Sequence, residues 1–219
     1  MLMGTGRSYS YKEIISHYEQ CLEKFGDTCR GVDWPNEKDA RTRYRVMMDM
    51  VLFNQGKAVS LLDFGCGTAH LLEFINKQSY ADQVQYSGLD ISDKFIEVAR
   101  NKFPGHRFMT SDILEDQEVP GPFDYIIMNG VFTEKRQLTF DEMWDYFRDM
   151  ISGVFPYAAK GIAFNVMSSH VDWEREDLFH LPMDLLASFL SGNISRNFVF
   201  RNDYGLYEYT CYVYREPGV

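Results

Sequence analysis

The stretch Leu61-Leu62-Asp63-Phe64-Gly65-Cys66-Gly67-Thr68-Ala69 constrains the fold more than any other part of the chain. An apolar strand that runs into a glycine-rich turn and then a helix is the nucleotide-binding start of a doubly wound sheet. Glycines are used there because a missing side chain lets a ligand touch backbone. Asp63 sharpens the reading. It stands two residues before the first glycine, where a dinucleotide-binding fold has an apolar strand residue. A carboxylate at that point accepts from an ammonium, directly or through water, and repels a pyrophosphate.

The flanking sequence repeats the same alternation. Short apolar runs at 58–64, 84–89, 107–109, 123–128 and 162–166 alternate with helical patterns at 69–77, 93–103 and 140–154. The last of these opens on a Thr139/Glu142 capping box and carries Met143, Phe147, Met150, Ile151 and Val154 as its stripe. Strand alternating with helix predicts parallel strands joined by right-handed crossovers, hence an α/β doubly wound sheet covered on both faces. The end breaks the pattern. A helix at 182–191, with Pro182 at its start and Gly192 after it, precedes strands at 194–201 and 206–214. The turn Asn202-Asp203-Tyr204-Gly205 joins them, so they form an antiparallel C-terminal hairpin.

Two helical stripes precede the sheet. Ser10 and Glu13 form a capping-box pattern before Ile14, Tyr18, Cys21, Leu22 and Phe25, and Gly26 marks the stop. Tyr44, Met47, Met48, Val51 and Leu52 form the second stripe, ending near Gly56. Residues 1–57 are therefore expected as a helical N-terminal cap and 58–219 as the sheet domain.

Three more strand ends carry polar groups. Asp90 closes the second strand 23 residues after Gly67, near the spacing at which a carboxylate takes ribose hydroxyls, and Ser92 is available to cap the helix that follows. Ser111-Asp112-Ile113 follows the third strand, where a carboxylate can accept an adenine amine while an isoleucine packs on the ring. Asn129-Gly130-Val131 follows the fourth. Ligands of open α/β sheets sit outside the carboxyl ends of the strands, so the four motifs converge on one crevice.

On these residues the chain resembles the class I S-adenosylmethionine-dependent methyltransferases over 58–215. The resemblance implies a seven-stranded, mostly parallel sheet with a reversed last strand, S-adenosylmethionine as cofactor and S-adenosylhomocysteine as product. It implies that Gly65, Cys66 and Gly67 pack on the methionine part and that Asp90, beside Ile91, binds ribose. Ser111, Asp112 and Ile113 would surround adenine, and Asn129, Gly130 and Val131 would floor the sulfonium. The family's third loop glycine is Ala69 here, a replacement expected to be tolerated because it opens a helix. The segments Gly31–Trp34, 164–172 and 202–210 are similar to a branch of bacterial methyltransferases, a likeness that names no substrate.

Methyl transfer needs alignment and exclusion of water, and a base only when the acceptor is a hydroxyl. His170, with Asp172 to orient it, is the candidate base, and Tyr11, Tyr18 and Trp34 are candidates for closing the pocket. Tyr204 and Tyr207 read as structural aromatics. Net charge is −10, from 22 basic and 32 acidic residues, which disfavours nucleic acid. The cluster Arg41, Arg43, Arg45 reads as a solvated helix face beside Glu37 and Asp39. Cys21, Cys29, Cys66 and Cys211 show neither CxxC nor ligand spacing with histidine, so no metal site and no disulfide framework is expected. No apolar run is long enough to span a membrane. The expectation is a cytoplasmic enzyme, monomer or homodimer, methylating a small molecule at oxygen. The alternatives are a protein or tRNA methylase, a non-catalytic cofactor-binding module, and, least favoured, an NAD-binding protein.

Overall fold

A computed structural model describes residues 11–53, 57–116 and 121–217. Its elements run α1 (Lys12–Phe25), α2 (Glu37–Met48), β1 (Val59–Phe64), α3 (His70–Ile75), β2 (Val84–Asp90), α4 (Asp93–Lys102), β3 (Arg107–Thr110), α5 (Ile113–Asp116) and β4 (Phe123–Met128). They continue with α6 (Phe140–Val154), β5 (Ala158–Ser168), β6 (His180–Leu181), α7 (Met183–Asn193), β7 (Asn197–Arg201) and β8 (Glu208–Tyr214). The sheet order is β3-β2-β1-β4-β5-β8-β7, parallel from β3 to β5 and antiparallel at β5·β8 and β7·β8. The expected seven strands form this path. The two-residue β6, paired parallel to β5 at its carboxyl end, is an eighth.

The order of strand addition reverses between β1 and β4: from β1 the sheet grows outward through β2 and β3, and β4 then returns, still parallel, to the other side of β1. Side chains buried on both faces give β1 and β4 their near-continuous apolar character. One core face joins Phe132 and the stripe of α6 to α7 and the start of α1. The other joins α2, α3 and α4 to residues such as Leu61, Tyr125 and Ile127. Val46 and Met47 of α2 are wholly buried in that second face.

The capping box of α6 forms as expected, with Thr139 Oγ1 accepting from Glu142 N and Glu142 Oε2 accepting from Thr139 N. Other boundaries differ. α2 stops at Met48, leaving Val51 buried but Leu52 exposed beyond the helix. Ser10 and Gly56 lie outside the described residues, and α1 begins after Tyr11 with no side-chain cap. Gly192 falls inside α7, which Ile194 ends, so Gly192 is no C-cap. β7 and β8 start later than expected, at Asn197 and Glu208. Ser92 does not cap α4 with its side chain; its hydroxyl donates to Glu19 Oε1 of α1 at 2.6 Å.

Candidate active site

The turn after β1 is built from three left-handed residues, Gly65 (φ +73°), Gly67 (φ +51°) and Ala69 (φ +63°). Gly65 N and Cys66 N both donate to Leu89 O, at 2.7 and 3.0 Å, which pins the turn to β2. Gly67 N donates to Asp90 Oδ2 at 2.9 Å and Ser92 N to Asp90 Oδ1 at 3.0 Å. Asp90 therefore holds the glycine turn and the start of α4 together. The close approach requires Gly88: a Cβ there would lie 2.6 Å from Phe108 and 2.8 Å from Cys66 Sγ. Ala69 does more than open a helix. It occupies the conformation a glycine would take, at a backbone cost of about 1–2 kcal/mol.

Asp63 stands under this turn, 3 % exposed, and Tyr86 Oη donates to its Oδ2 at 2.7 Å. Burial pushes the Asp63 carboxyl up to about 7, the Tyr86 bond opposes that rise, and the neighbouring charge of Asp90 adds to it. Asp90 is raised too, chiefly by burial, against the lowering effect of its backbone donors. Both acids line a cavity of about 160 Å³ with Gly65, Cys66, Gly67, Ile91, Asn129, Gly130, Val131 and Tyr18. Asn129 Oδ1 is buried there with no hydrogen-bond partner among the described residues.

A narrower recess of about 80 Å³ extends from the same residues toward β3 and contains Ser111, Asp112 and Ile113. Tyr11 closes it, its hydroxyl donating to Asp112 Oδ2, while Asp112 Oδ1 accepts from Leu114 N at 3.1 Å. Ser111 Oγ donates to Asp116 Oδ2 at 2.8 Å. Each Asp112 oxygen keeps a second lone pair for a ligand donor.

A second cavity, about 240 Å³, abuts the first, and Tyr18 and Trp34 line both. Trp34 sits against Gly130, where a Cβ would come within 3.1 Å of its ring, and the Arg43 guanidinium lies 4.4 Å over its face. Arg43 is not on a solvated face. Its Nε donates to both oxygens of Glu208, at 2.8 and 2.9 Å, while Arg41 and Arg45 do sit in the exposed pairs Glu37–Arg41 and Arg45–Asp49. Glu208 Oε1 also accepts from Asn165 Nδ2 at 3.1 Å, and Asn165 Oδ1 accepts from Gly130 N at 2.7 Å. A continuous polar chain thus runs from α2 through β8 and β5 to the floor of the first cavity.

Two groups in the second cavity were not singled out from sequence. Glu134 is 8 % exposed and raised, first by burial and then by Asp33 and Asp177; its bond from Arg136 Nη1 is long, 3.4 Å. His180 has both ring nitrogens engaged, Nδ1 with Ser168 O at 2.7 Å and Nε2 accepting from Arg175 N at 3.2 Å, so it is a neutral imidazole without a free nitrogen. His170 is exposed on the loop after β5 and lines neither cavity, because the strand extends to Ser168 before the chain turns outward. Its companion Asp172 is exposed as well. Tyr207 does line the second cavity, and Tyr204 bonds Thr210 at 2.9 Å.

Cys21 does have a histidine one helical turn before it. His17, Cys21 and Asp33 lie within ligating reach of one another, but His17 Nε2 bonds Asp33 directly at 2.7 Å. In the second such group, Asp27, His70 and Glu73, the Lys102 ammonium already sits 2.7 and 2.5 Å from the two acids.

Residues 62–152 match the family model described as a methyltransferase domain. A provisionally named methyltransferase of Mycobacterium tuberculosis, Rv1506c, is 24 % identical over 166 residues, 75 % of this chain and 98 % of that protein. Among solved structures, the fold is similar to magnesium protoporphyrin IX methyltransferase from Synechocystis with bound SAH. The TM-score is 0.64 at 16 % identity, over 94 % of this chain and 100 % of that one. A TehB-like SAM-dependent methyltransferase from Corynebacterium glutamicum gives a TM-score of 0.58 at 15 % identity, over 92 % of this chain and 100 % of that one. The matched domain over residues 62–152, the sheet order and the turn after β1 are together similar to those of the class I S-adenosylmethionine-dependent methyltransferases.

Proposed function

We propose that the enzyme methylates a small molecule, at oxygen, with the acceptor held in the cavity that shares Tyr18 and Trp34 with the cofactor site. That shared wall carries the reading, since it supports a direct path between two adjoining half-open cavities. The cavity's volume, about 240 Å³, suits a metabolite rather than a protein or tRNA segment. We further read residues 1–57 as the cap that supplies Tyr18 and Trp34 to the 58–219 domain, and the enzyme as cytoplasmic, a monomer or homodimer. Among the described residues no helix is long and apolar enough to cross a membrane.

The residues present fit the cofactor. Asp63 and the unpartnered Asn129 Oδ1 offer acceptors for the ammonium of its methionine part, Asp90 for the ribose hydroxyls, and Asp112 with Ile113 for the adenine. Bound S-adenosylmethionine supplies a methyl carbon on a positively charged sulfur, which needs no further activation. Trp34 and Tyr18 exclude water from the acceptor and align it with Gly130. Glu134 is the residue that would take the proton of an acceptor hydroxyl as that oxygen is methylated. The raised Glu134 carboxyl suits that task. Arg43 Nη1, buried with no partner among the described residues, offers a donor to a ligand oxygen.

Calorimetry with S-adenosylhomocysteine tests the cofactor site, and labelled S-adenosylmethionine incubated with a fractionated cell extract tests transfer. Label that moves only into protein or RNA fractions would overturn the small-molecule reading.

A further inference from the structure

The second cavity has a charge pattern that selects among small molecules. Its carboxylates are Asp33, Asp39, Glu134 and Glu208, and its cations Arg43 and Arg175. Both cations are already matched: Arg43 by Glu208, and Arg175 by Asp177, which it meets through two guanidinium nitrogens. Behind the wall, Arg136 reaches Glu134 at 3.4 Å and Asp177 at 3.7 Å, and His17 bonds Asp33. Asp39 accepts from Asn36 Nδ2, a neutral donor. The cavity therefore presents more negative than positive charge, and the Glu134 side chain is nine-tenths buried with one long bond to share.

Aromatic groups complete the pattern. Trp173 and Tyr207 line the cavity with their ring centroids 6.1 Å apart, 58 % and 57 % exposed, while Tyr18 lies deeper at the wall with the cofactor site. Trp34 already holds one cation, Arg43, against its face. Carboxylates beside exposed aromatic faces attract a cation both by charge and by the ring quadrupole.

We infer that the methyl acceptor carries a cationic group, a quaternary or protonated amine, seated between Glu134 and the Trp173–Tyr207 pair. This rests on the reading of the second cavity as the acceptor site and deepens it. An anionic acceptor would meet Glu134, Asp33 and Asp39, and the donor Arg43 Nη1 belongs to a guanidinium whose charge Glu208 already matches.

The test uses the full chain saturated with S-adenosylhomocysteine and two isosteric probes, choline and its neutral carbon analogue 3,3-dimethylbutan-1-ol, with isovalerate as the anion. Titrations are followed by tryptophan fluorescence and NMR at constant ionic strength. Choline is expected to bind at least about tenfold more tightly than the neutral analogue, and isovalerate not at all. Glu134→Gln should weaken choline severalfold more than it weakens the alcohol. Trp173→Leu, a substitution at an exposed position, should weaken choline too and serves if the Glu134 variant fails to fold. Equal binding of choline and the alcohol, preference for the anion, or no choline binding at 100 mM would overturn the inference. Calorimetry of S-adenosylhomocysteine on the same sample separates outcomes: if it fails to bind, the cofactor reading itself has failed, whereas normal binding with indifferent probes removes only the cationic acceptor.

Discussion

Replacing Asp63 by Asn isolates one buried charge. The carboxyl is 3 % exposed and sits at about 7, some three pH units above its value in an unfolded chain. Between about pH 4 and 7 the folded protein therefore holds a proton the unfolded chain has lost, and stability falls as pH rises through that window. At 1.36 kcal/mol per unit the loss reaches about 4 kcal/mol by pH 8. Asn keeps an acceptor for Tyr86 Oη and removes the charge beside Asp90. Asp63→Asn should be close to the parent in stability near pH 4 and more stable by up to about 4 kcal/mol at pH 8, a rise in Tm on the order of 10 °C for a chain this long.

Cofactor affinity should move the opposite way. An ammonium ligand needs Asp63 ionised, and a group at about 7 is roughly one-tenth ionised at pH 6 and nine-tenths at pH 8. S-Adenosylhomocysteine binding by the parent should strengthen about tenfold between those values and then flatten. In Asp63→Asn it should be at least about tenfold weaker at pH 8 and lose most of that slope. Isothermal calorimetry from pH 5.5 to 8.5, with thermal unfolding in the same buffers, measures both. A variant that gains no stability at pH 8 and binds as tightly as the parent with the same slope would refute the placement of the ammonium beside Asp63.

Glu134→Gln should lower turnover about a hundredfold or more while leaving S-adenosylhomocysteine affinity unchanged, whereas His170→Ala should change neither; steady-state kinetics and calorimetry decide. Arg43→Met leaves Glu208, 1 % exposed, without its counter-ion and should cost about 3–5 kcal/mol in a denaturant titration. Gly88→Ala drives a methyl into Phe108 and Cys66 and should cost about 1–3 kcal/mol, with weaker cofactor binding as the turn shifts.

Local rules made the sheet legible. A strand buried on both faces shows its apolar run, and a glycine turn shows in the letters Gly65 and Gly67, so β1 to β5 and the hairpin stand where the sequence places them within a few residues. The boundaries that moved are those set by tertiary contact. Ser92 looks like a cap, yet Glu19 from another helix takes its hydroxyl; Gly192 looks like a stop, yet α7 runs through it. The strand-end residues Asp63, Asp90, Asp112 and Asn129 were visible because the fold rule that ligands sit at carboxyl ends of strands needs no knowledge of packing.

The second cavity obeys no such rule, and Arg43 shows why. In sequence it stands among Arg41, Arg45, Glu37 and Asp39, a setting that describes a solvated face and is right for its two neighbours. Its partner is 165 residues away, so no local pattern reports the pair. Helical geometry separates it from Arg41 and Arg45 by about 200° in each direction, which puts them on the opposite side of α2. Glu208 then acquires Asn165, and Asn165 fixes the Gly130 amide on the wall of the first cavity. Helix α2 is in this way tied to the wall of that cavity by one buried ion pair and two hydrogen bonds. A change at Arg43 should therefore register in cofactor affinity as well as in stability, although its guanidinium lies in the neighbouring cavity.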